Sequence, residues 1–442
     1  MAESSSDHFD LYPGPNVISP PNAVRLSMGS AGLQASVNGA APGPIAGQTG
    51  LISGGTSGAD LTNAIAAANA AGGGTTIELG KGTYNWIAKG TANQSAIQVV
   101  GNGPGSTFLR LDDAGGLAGD DAFLVNSVLN FALRGMTVIA ASPRTAGSVV
   151  KVLGVNNITH TPAQRTRQYT IEDVDMEDQF NGVVFNDGPA NAGAWGGFIN
   201  RCEWVRFNTG GVGIWVNSPH GGQHYISNLK TYNSDSIADA SRALAAIRYQ
   251  GGADLELDNV NTIYFRTGLL IDPTTSGANV TIARGCEFDN NTQASVKIAP
   301  SGSGSVLGVT VADGWGYTPA STGQPCIQID GGEAIMITEN QFWGCLQGVR
   351  VSGPARRVLV SKNDASGSTA GFYATSSAAG FRFLGNVCNV HAGVTPTVGI
   401  QVDAGCDHYV VTDNDVHEAT TPMTITPVDS ANRRISTGNI TA

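Results

Sequence analysis

The sequence predicts an all-β solenoid, a parallel β-helix of roughly 10–13 coils with a capping helix at its N-terminal end. Two observations carry that expectation. The first is a recurring pattern in Ile337-Thr338-Glu339-Asn340-Gln341-Phe342, Val360-Ser361-Lys362-Asn363-Asp364-Ala365, Phe383-Leu384-Gly385-Asn386-Val387-Cys388 and Val411-Thr412-Asp413-Asn414-Asp415-Val416. Each segment has an apolar residue, two free positions, an Asn, one free position and a small or apolar residue. The asparagines recur after 23, 23 and 28 residues. That period is too short for a domain and suits one coil, which buries its apolar face only by stacking on the next. Asn is a poor strand residue, but it tolerates left-handed backbone and its amide can bond along a stack of identical turns. The second observation is composition. Charged residues make up 13% of the chain and aromatics 7%, with 59 glycines, and short apolar runs recur throughout, as expected of short strands joined by turns.

Residues 1–50 are rich in Pro, Gly, Ser and Ala without sustained periodicity. They read either as a flexible tail or as an attachment arm ordered by a partner. A helix is expected from Asp60, which would cap it, with Leu61, Ile65 and Ala68 on one face and Gly72 to Gly74 ending it. A strand from Thr76 to Tyr84, broken by a glycine turn, follows. Apolar bursts at Ile97–Val100, Phe131–Ile139 and Val149–Leu153 come next.

From residue 171 the repeat can be followed through anchors at 171, 199, 226, 257, 282, 309, 337, 360, 383 and 411, those at Ile282 and Val309 being the weakest. Second strands are expected at Gly182–Phe185, Gly213–Val216, Gly268–Ile271 and Gly348–Val351. The longer steps suggest insertions: a helix-like run at Ile237–Ile247 and Gly-rich loops at 186–197 and 217–224. The solenoid is thus assigned to residues 51–425 and a short tail to 426–442.

Net charge is −11, which disfavours nucleic acid as a partner. No stretch approaches a membrane span, and Met1 to His8 carry neither a basic nor an apolar signal region. The six cysteines show no CxxC pair. Buried free thiols are expected, rather than a disulfide or zinc framework.

Loops on a rigid scaffold are where solenoids usually build sites, which draws attention to residues 165–260. Strand alternation turns the fifth repeat position outward, giving a column of Asp175, Glu203, Lys230 and Asn261, beside Asp173, Arg201, Asn228 and Asn259 at the third. Coils stack about 4.8 Å apart, so Asp175 and Glu203, or Asp173 and Glu203, fall near the separation that carboxylates need in glycoside hydrolysis. Proximity would raise one pKa and leave the other group ionised. The plainer reading of the column is a solvated face with an Asp173–Arg201 ion pair. Asp173, Asp175, Glu177 and Asp178 also form an acidic patch that could hold Ca²⁺ through oxygen ligands, although the spacing is not that of an EF-hand loop. The substrate-binding candidates are Trp195 as a sugar platform, with Arg201, His224, Lys230, Tyr232, Arg248 and Tyr249. Trp204 sits at an inward position and reads as core.

The helix followed by Ile77-x-Leu79-x-x-Gly82-x-Tyr84 resembles the opening coil of the pectate-lyase-like superfamily of single-stranded right-handed parallel β-helices. With the coil period and the Asn series, this resemblance covers roughly residues 55–420. Within that superfamily the polygalacturonase motifs are not assembled: Asn208-Thr209-Gly210 lacks the Asp, and His220 follows Pro219. The Asp-Pro-His motif of alginate epimerases is absent too. The chain is most similar to bacteriophage tailspike and depolymerase proteins. The resemblance implies a homotrimer on a virion tail, attached through the N-terminal segment, which binds and hydrolyses a bacterial surface polysaccharide without a cofactor. A lyase acting on a uronate polymer would instead use His224 or Tyr225 as base beside Arg201, Lys230 or Arg248, with Ca²⁺ as a possible aid. A non-enzymatic adhesin would need none of these.

Overall fold

A computed structural model of the chain has the expected architecture, a parallel β-solenoid of about 12 coils. It describes residues 58–155, 168–233, 238–375, 377–426 and 435–441, together with five short strands before residue 53. Of these strands, Phe9–Leu11, Val24–Gly29, Gly32–Val37 and Gly43–Pro44 form an antiparallel sheet, while Thr49–Ile52 pairs in parallel with Thr76–Leu79 and joins the solenoid. Ile435–Thr437, within the stretch assigned to a tail, adds another rung by pairing with Val410–Thr412.

Each regular coil crosses three parallel sheets. The first sheet has a buried column running Ile77, Val99, Leu133, Ile171, Ile199, Ile226 and Leu257, then Ala283, Val311, Ile337, Val360, Phe383 and Val411. The anchors read from sequence are these residues, with two corrections. Leu257 stacks on Ala283 rather than Ile282, and Ala283 stacks on Val311 rather than Val309. Ile282 points outward while the small Ala283 points in, so the stronger apolar signal marks the wrong residue. Val309 and Val311 are both buried, and apolarity alone cannot separate them.

The corner between the first and second sheets repeats one backbone conformation. Asp173, Arg201, Asn228, Asn259, Asp313, Glu339, Lys362 and Asp413 all have φ between 50° and 61°. Left-handed backbone is costly for residues with a Cβ, so such a column persists because stacking over-determines it. The sequence reading placed this conformation on the ladder asparagines, but it belongs to the residue before each of them. At Gly385 and Gly438 the same position is filled by the residue that adopts it most easily.

The asparagines themselves form the expected ladder. Asn340 Nδ2 donates to Asn363 Oδ1 at 3.0 Å, Asn363 to Asn386 at 3.1 Å, and Asn386 to Asn414 at 3.0 Å. Asn414 continues it to Asn439 at 2.9 Å, a rung not recognised from sequence. Each Oδ1 also accepts the backbone N–H of the preceding asparagine, and each Nδ2 reaches a carbonyl of the coil before. These amides are 0–2% exposed from Asn340 to Asn414, so their full satisfaction is what makes the buried position tolerable.

The capping helix spans Gly58–Ala70, so Asp60 lies within its first turn rather than at its cap. Leu61, Ile65 and Ala68 are buried as expected, and Gly72, Gly73 and Gly74 end it with positive φ. The helix sits tightly on the strand Gly90–Ala92, where a Cβ on Gly90 would lie 2.8 Å from Ile65 Cδ1. This cover removes a free sheet edge at the start of the stack.

Three further expectations are corrected. Ala245–Ile247, part of the helix-like run, begins the strand Ala245–Asp258, because stacking on Val212–Ile214 buries Ala245, Ala246 and Ile247 and overrides alanine's helix preference. Ile237 lies outside the described residues. Residues 217–224 are not a projecting loop but part of the strand Val212–Tyr232. Their glycines permit close stacking: a Cβ on Gly222 would fall 1.9 Å from the Ala253 carbonyl oxygen, and one on Gly221 2.2 Å from that of Ala194. Finally, Cys326 and Cys345 form a disulfide with Cα atoms 5.9 Å apart, while Cys202, Cys286, Cys388 and Cys406 are free and buried. A separation of 19 residues carries the chain most of the way round one coil, which no CxxC search detects.

The ladder makes a graded prediction. Asn386→Ala strands the Asn363 N–H and the Val360 carbonyl, and should cost about 2–4 kcal/mol by denaturant unfolding. Asn439→Ala, at the more open end of the ladder, should cost clearly less. Equal effects at both positions would show that burial does not set the ladder's strength.

Candidate functional site

Side chains that point away from the core on the second sheet share one continuous face. Its first column runs Asp175, Glu203, Lys230, Asn261, Glu287, Trp315, Gln341 and Asp364. Its second includes Tyr232, Ile263, Asp289, Tyr317 and Trp343. The expected column is therefore real, and it continues well beyond residue 261.

At its upper end Asp175 and Glu203 are neighbours, the Glu203 backbone N–H donating to Asp175 Oδ1 at 3.2 Å. Burial raises the Asp175 pKa, with further contributions from the charges of Glu203 and Asp173. The Tyr232 hydroxyl bonds to Glu203, and Lys230 lies over the Tyr232 ring at 5.4 Å. Asp173 and Arg201 form the ion pair anticipated from sequence, at 2.8 and 2.9 Å. That bond holds the Asp173 carboxyl below its usual range, and Arg201 also engages Glu172. Arg206 takes up Glu177 and Asp178. The acidic patch is thus largely consumed by arginines.

Four predicted site residues lie elsewhere. His224 is fully buried in the first sheet, its Nδ1 3.0 Å from the Tyr169 hydroxyl and its ring against Phe185. Burial lowers its pKa to about 3, so it is a neutral core residue and not an accessible base. Tyr249 is also fully buried, its hydroxyl donating to the Asn279 carbonyl. Arg248, on the third sheet, is held by Asp272 at 2.6 Å and lies over Trp215. Trp195 is half-buried at the start of the strand Trp195–Val205 on the first sheet, away from the carboxylates. Trp204 is core as expected, its indole N–H donating to the Val174 carbonyl.

The face holds a second constellation that the sequence reading missed. A cleft of about 510 Å³ is lined by Asp289, Asn290, Trp315, Tyr317, Trp343, Gly344 and His391, among others. Trp315 and Tyr317 have nearly parallel rings 6.4 Å apart, Trp343 meets Trp315 edge-on at 5.8 Å, and His391 stacks on Trp343 at 4.9 Å. Gly344 has φ 62°, and a side chain there would strike the Tyr317 ring at 2.4 Å. Trp315 Nε1 is buried without a partner among the described residues.

Two carboxylates stand at the head of this cleft. Glu287 and Asp289 share the outward face of one short strand. Asn261 Nδ2 donates to Glu287 Oε2 at 2.5 Å, and Asn290 Nδ2 to Asp289 at 3.0 Å. Burial raises both pKa values, and the Asp289 charge adds to the rise at Glu287. The signal was present in the sequence as Glu287-Phe288-Asp289, Trp315-Gly316-Tyr317 and Phe342-Trp343, which alternate outward at matching coil positions.

Comparison with known proteins is consistent with this architecture. The family described as right handed beta helix region matches residues 245–416. No curated protein matches the chain. Among solved structures, the N-terminal fragment of bacteriophage Phi29 gene product 12 is similar, with a TM-score of 0.57 and 12% identity. That match covers 77% of this chain but only 61% of the fragment. A mutant tailspike protein of E. coli bacteriophage HK620 in complex with a hexasaccharide gives 0.55 and 10%, covering 86% of this chain and 73% of the other. The A-module of the mannuronan C-5 epimerase of Azotobacter vinelandii gives 0.52 and 17%, covering 86% and 95%. At these identities the likeness concerns the fold, and the single-stranded right-handed parallel β-helix expected from the opening coil is the fold observed.

The buried histidine makes a pH prediction. Its folded pKa lies below the unfolded value of 6.5, so its contribution is intact above that value and lost as pH falls toward 3. Acidification to about pH 4.5 should cost roughly 2–3 kcal/mol through this group. His224→Phe should flatten that part of the stability profile, measured by denaturant midpoints against pH. An unchanged slope would place the acid sensitivity elsewhere.

Proposed function

We propose that the chain binds a polysaccharide along the outer face of its second sheet and depolymerises it by hydrolysing glycosidic bonds. The observation that carries this reading is the aromatic cleft standing directly beside Glu287 and Asp289. Aromatic faces hold the C–H rich faces of sugar rings. A solvated structural face needs no such cleft. The similar tailspike, solved with a hexasaccharide, and the mannuronan epimerase lend the same direction to the reading.

Two carboxylate couples lie on this face, Asp175 with Glu203 and Glu287 with Asp289. The second is favoured because it adjoins the cleft and both of its members have raised pKa values. Burial, and at Glu287 the charge of Asp289 as well, favours the protonated carboxyl, which would deliver its proton to the leaving glycosidic oxygen. The ionised partner then activates water, or attacks the anomeric carbon itself, according to their separation once sugar is bound. The Asp175–Glu203 end, with Lys230 and Tyr232, would hold the polymer further along the stack.

The biological setting that fits is a tailspike-type protein: a side-by-side trimer on a virion tail, attached by the N-terminal segment and acting on a bacterial capsule, exopolysaccharide or O-antigen. The phage origin of two of the similar folds supports it.

The test is digestion of purified bacterial surface polysaccharides, with products read by mass spectrometry. Saturated oligosaccharides are expected, and Glu287→Gln or Asp289→Asn should lower the rate at least a hundredfold. Products lighter by one water would mean elimination and overturn hydrolysis. Activity lost only in Asp175→Asn and Glu203→Gln would move the reaction to the upper couple. Binding without products would leave a glycan adhesin. In parallel, Trp343→Ala should weaken oligosaccharide binding about tenfold by calorimetry.

A further inference from the structure

The face proposed to carry the polymer is almost entirely of one charge. From Asp175 to Asp415 its first column presents five carboxylates, Asp175, Glu203, Glu287, Asp364 and Asp415, against one cation, Lys230. Asp289 adds a further carboxylate from the second column. Lys230 stands three strands from Trp315, on the order of 14 Å away, with Glu287 between them.

Basic side chains around the face are engaged elsewhere. Arg206 pairs with Glu177 and Asp178, and Lys362 with Glu339. Arg242 is buried, donating to the Asn290 carbonyl and lying over the Tyr264 ring. No lysine or arginine lines the aromatic cleft itself. Its walls are the rings of Trp315, Tyr317 and Trp343, with His391 stacked on the last, and its rim is aliphatic at Val394, which is 46% exposed.

An anionic polymer brings a charge to this face with every acidic sugar. The loss of hydration there must be offset by a guanidinium, an ammonium or a bridging metal ion. The carboxylates do not converge on a metal position: among the described residues no group of three His, Cys, Asp or Glu side chains is close enough to hold one. They oppose a polyanion instead. Neutral sugars fit the same surface, because their hydroxyls donate to carboxylates and their C–H faces lie on aromatic rings.

We infer that the polysaccharide taken by the aromatic cleft is uncharged, built from neutral hexoses or N-acetylated amino sugars without uronic acid or phosphate. This rests on the cleft being the glycan site and narrows its ligand to one class. It sets the chain apart from the mannuronan epimerase whose fold is similar.

Calorimetric binding of the full chain to a panel of neutral and uronate-containing bacterial polysaccharides tests it, at low salt and with or without added Ca²⁺. Each acidic polymer is also presented after carboxyl reduction, which turns its uronates into neutral hexoses and keeps the linkages. The polymers bound should be uncharged, with affinities that change less than about twofold on adding salt. Where a reduced polymer binds, its native acidic form should bind at least about tenfold more weakly. Gln341→Lys, which sets a cation next to Trp315, should narrow that gap. A native acidic polymer bound as tightly as its reduced form, or more tightly, would overturn the inference, whether or not Ca²⁺ is required. If Trp343→Ala abolished that binding, the cleft would stand as the glycan site with the wrong class assigned. Binding indifferent to Trp343→Ala, or no binding by any polymer, would overturn the assignment of the cleft and the inference with it.

Discussion

The structure depends on stacking one corner upon itself. At that corner a left-handed residue turns the chain, and the next side chain points into the core, where from coil to coil it must meet its own kind. In the later coils that side chain is asparagine, whose amide offers both donor and acceptor along the stack axis. Asn340 to Asn439 thus satisfy one another and the carbonyls around them. Earlier coils place apolar side chains such as Val174, Cys202 and Leu229 at the matching corner, close to the tryptophan and phenylalanine core of Trp204 and Phe207. Both solutions work because a repeat needs only consistency between neighbours.

This division of labour explains where chemistry can reside. Inward positions are fixed by packing, so a titratable residue that falls there, as His224 does, is neutral and inaccessible. Outward positions on the three sheets are free of that demand. The chain uses the second sheet for carboxylates and aromatics in register. Because successive coils are about 4.8 Å apart, residues separated by a full coil in sequence become immediate neighbours. Sites on such a molecule are columns.

That geometry also decides how much could be read from sequence. The coil period, the ladder and the cap were legible because they repeat or carry strong local signals. The anchors failed only where Ala283 replaced a large inward residue and Val309 competed with Val311. The supposed helix at Ala245–Ile247 and loop at 217–224 were misread because small residues serve close stacking here, as Gly222 beneath Ala253 illustrates. The carboxylate column from Asp175 was found by extending one coil to the next. The aromatic cleft was missed because attention followed the irregular steps, whereas Trp315, Tyr317 and Trp343 occupy regular ones. A disulfide between Cys326 and Cys345 depends on a closure round the coil that spacing alone does not reveal.

The most direct test of the account is a crystal structure of the chain with oligosaccharide fragments of a polymer it binds. The account predicts sugar rings on Trp315, Tyr317 and Trp343, with a glycosidic oxygen within hydrogen-bond reach of Glu287 or Asp289. Sugar bound on another sheet, or over Asp175 and Glu203 with the aromatic cleft empty, would contradict it.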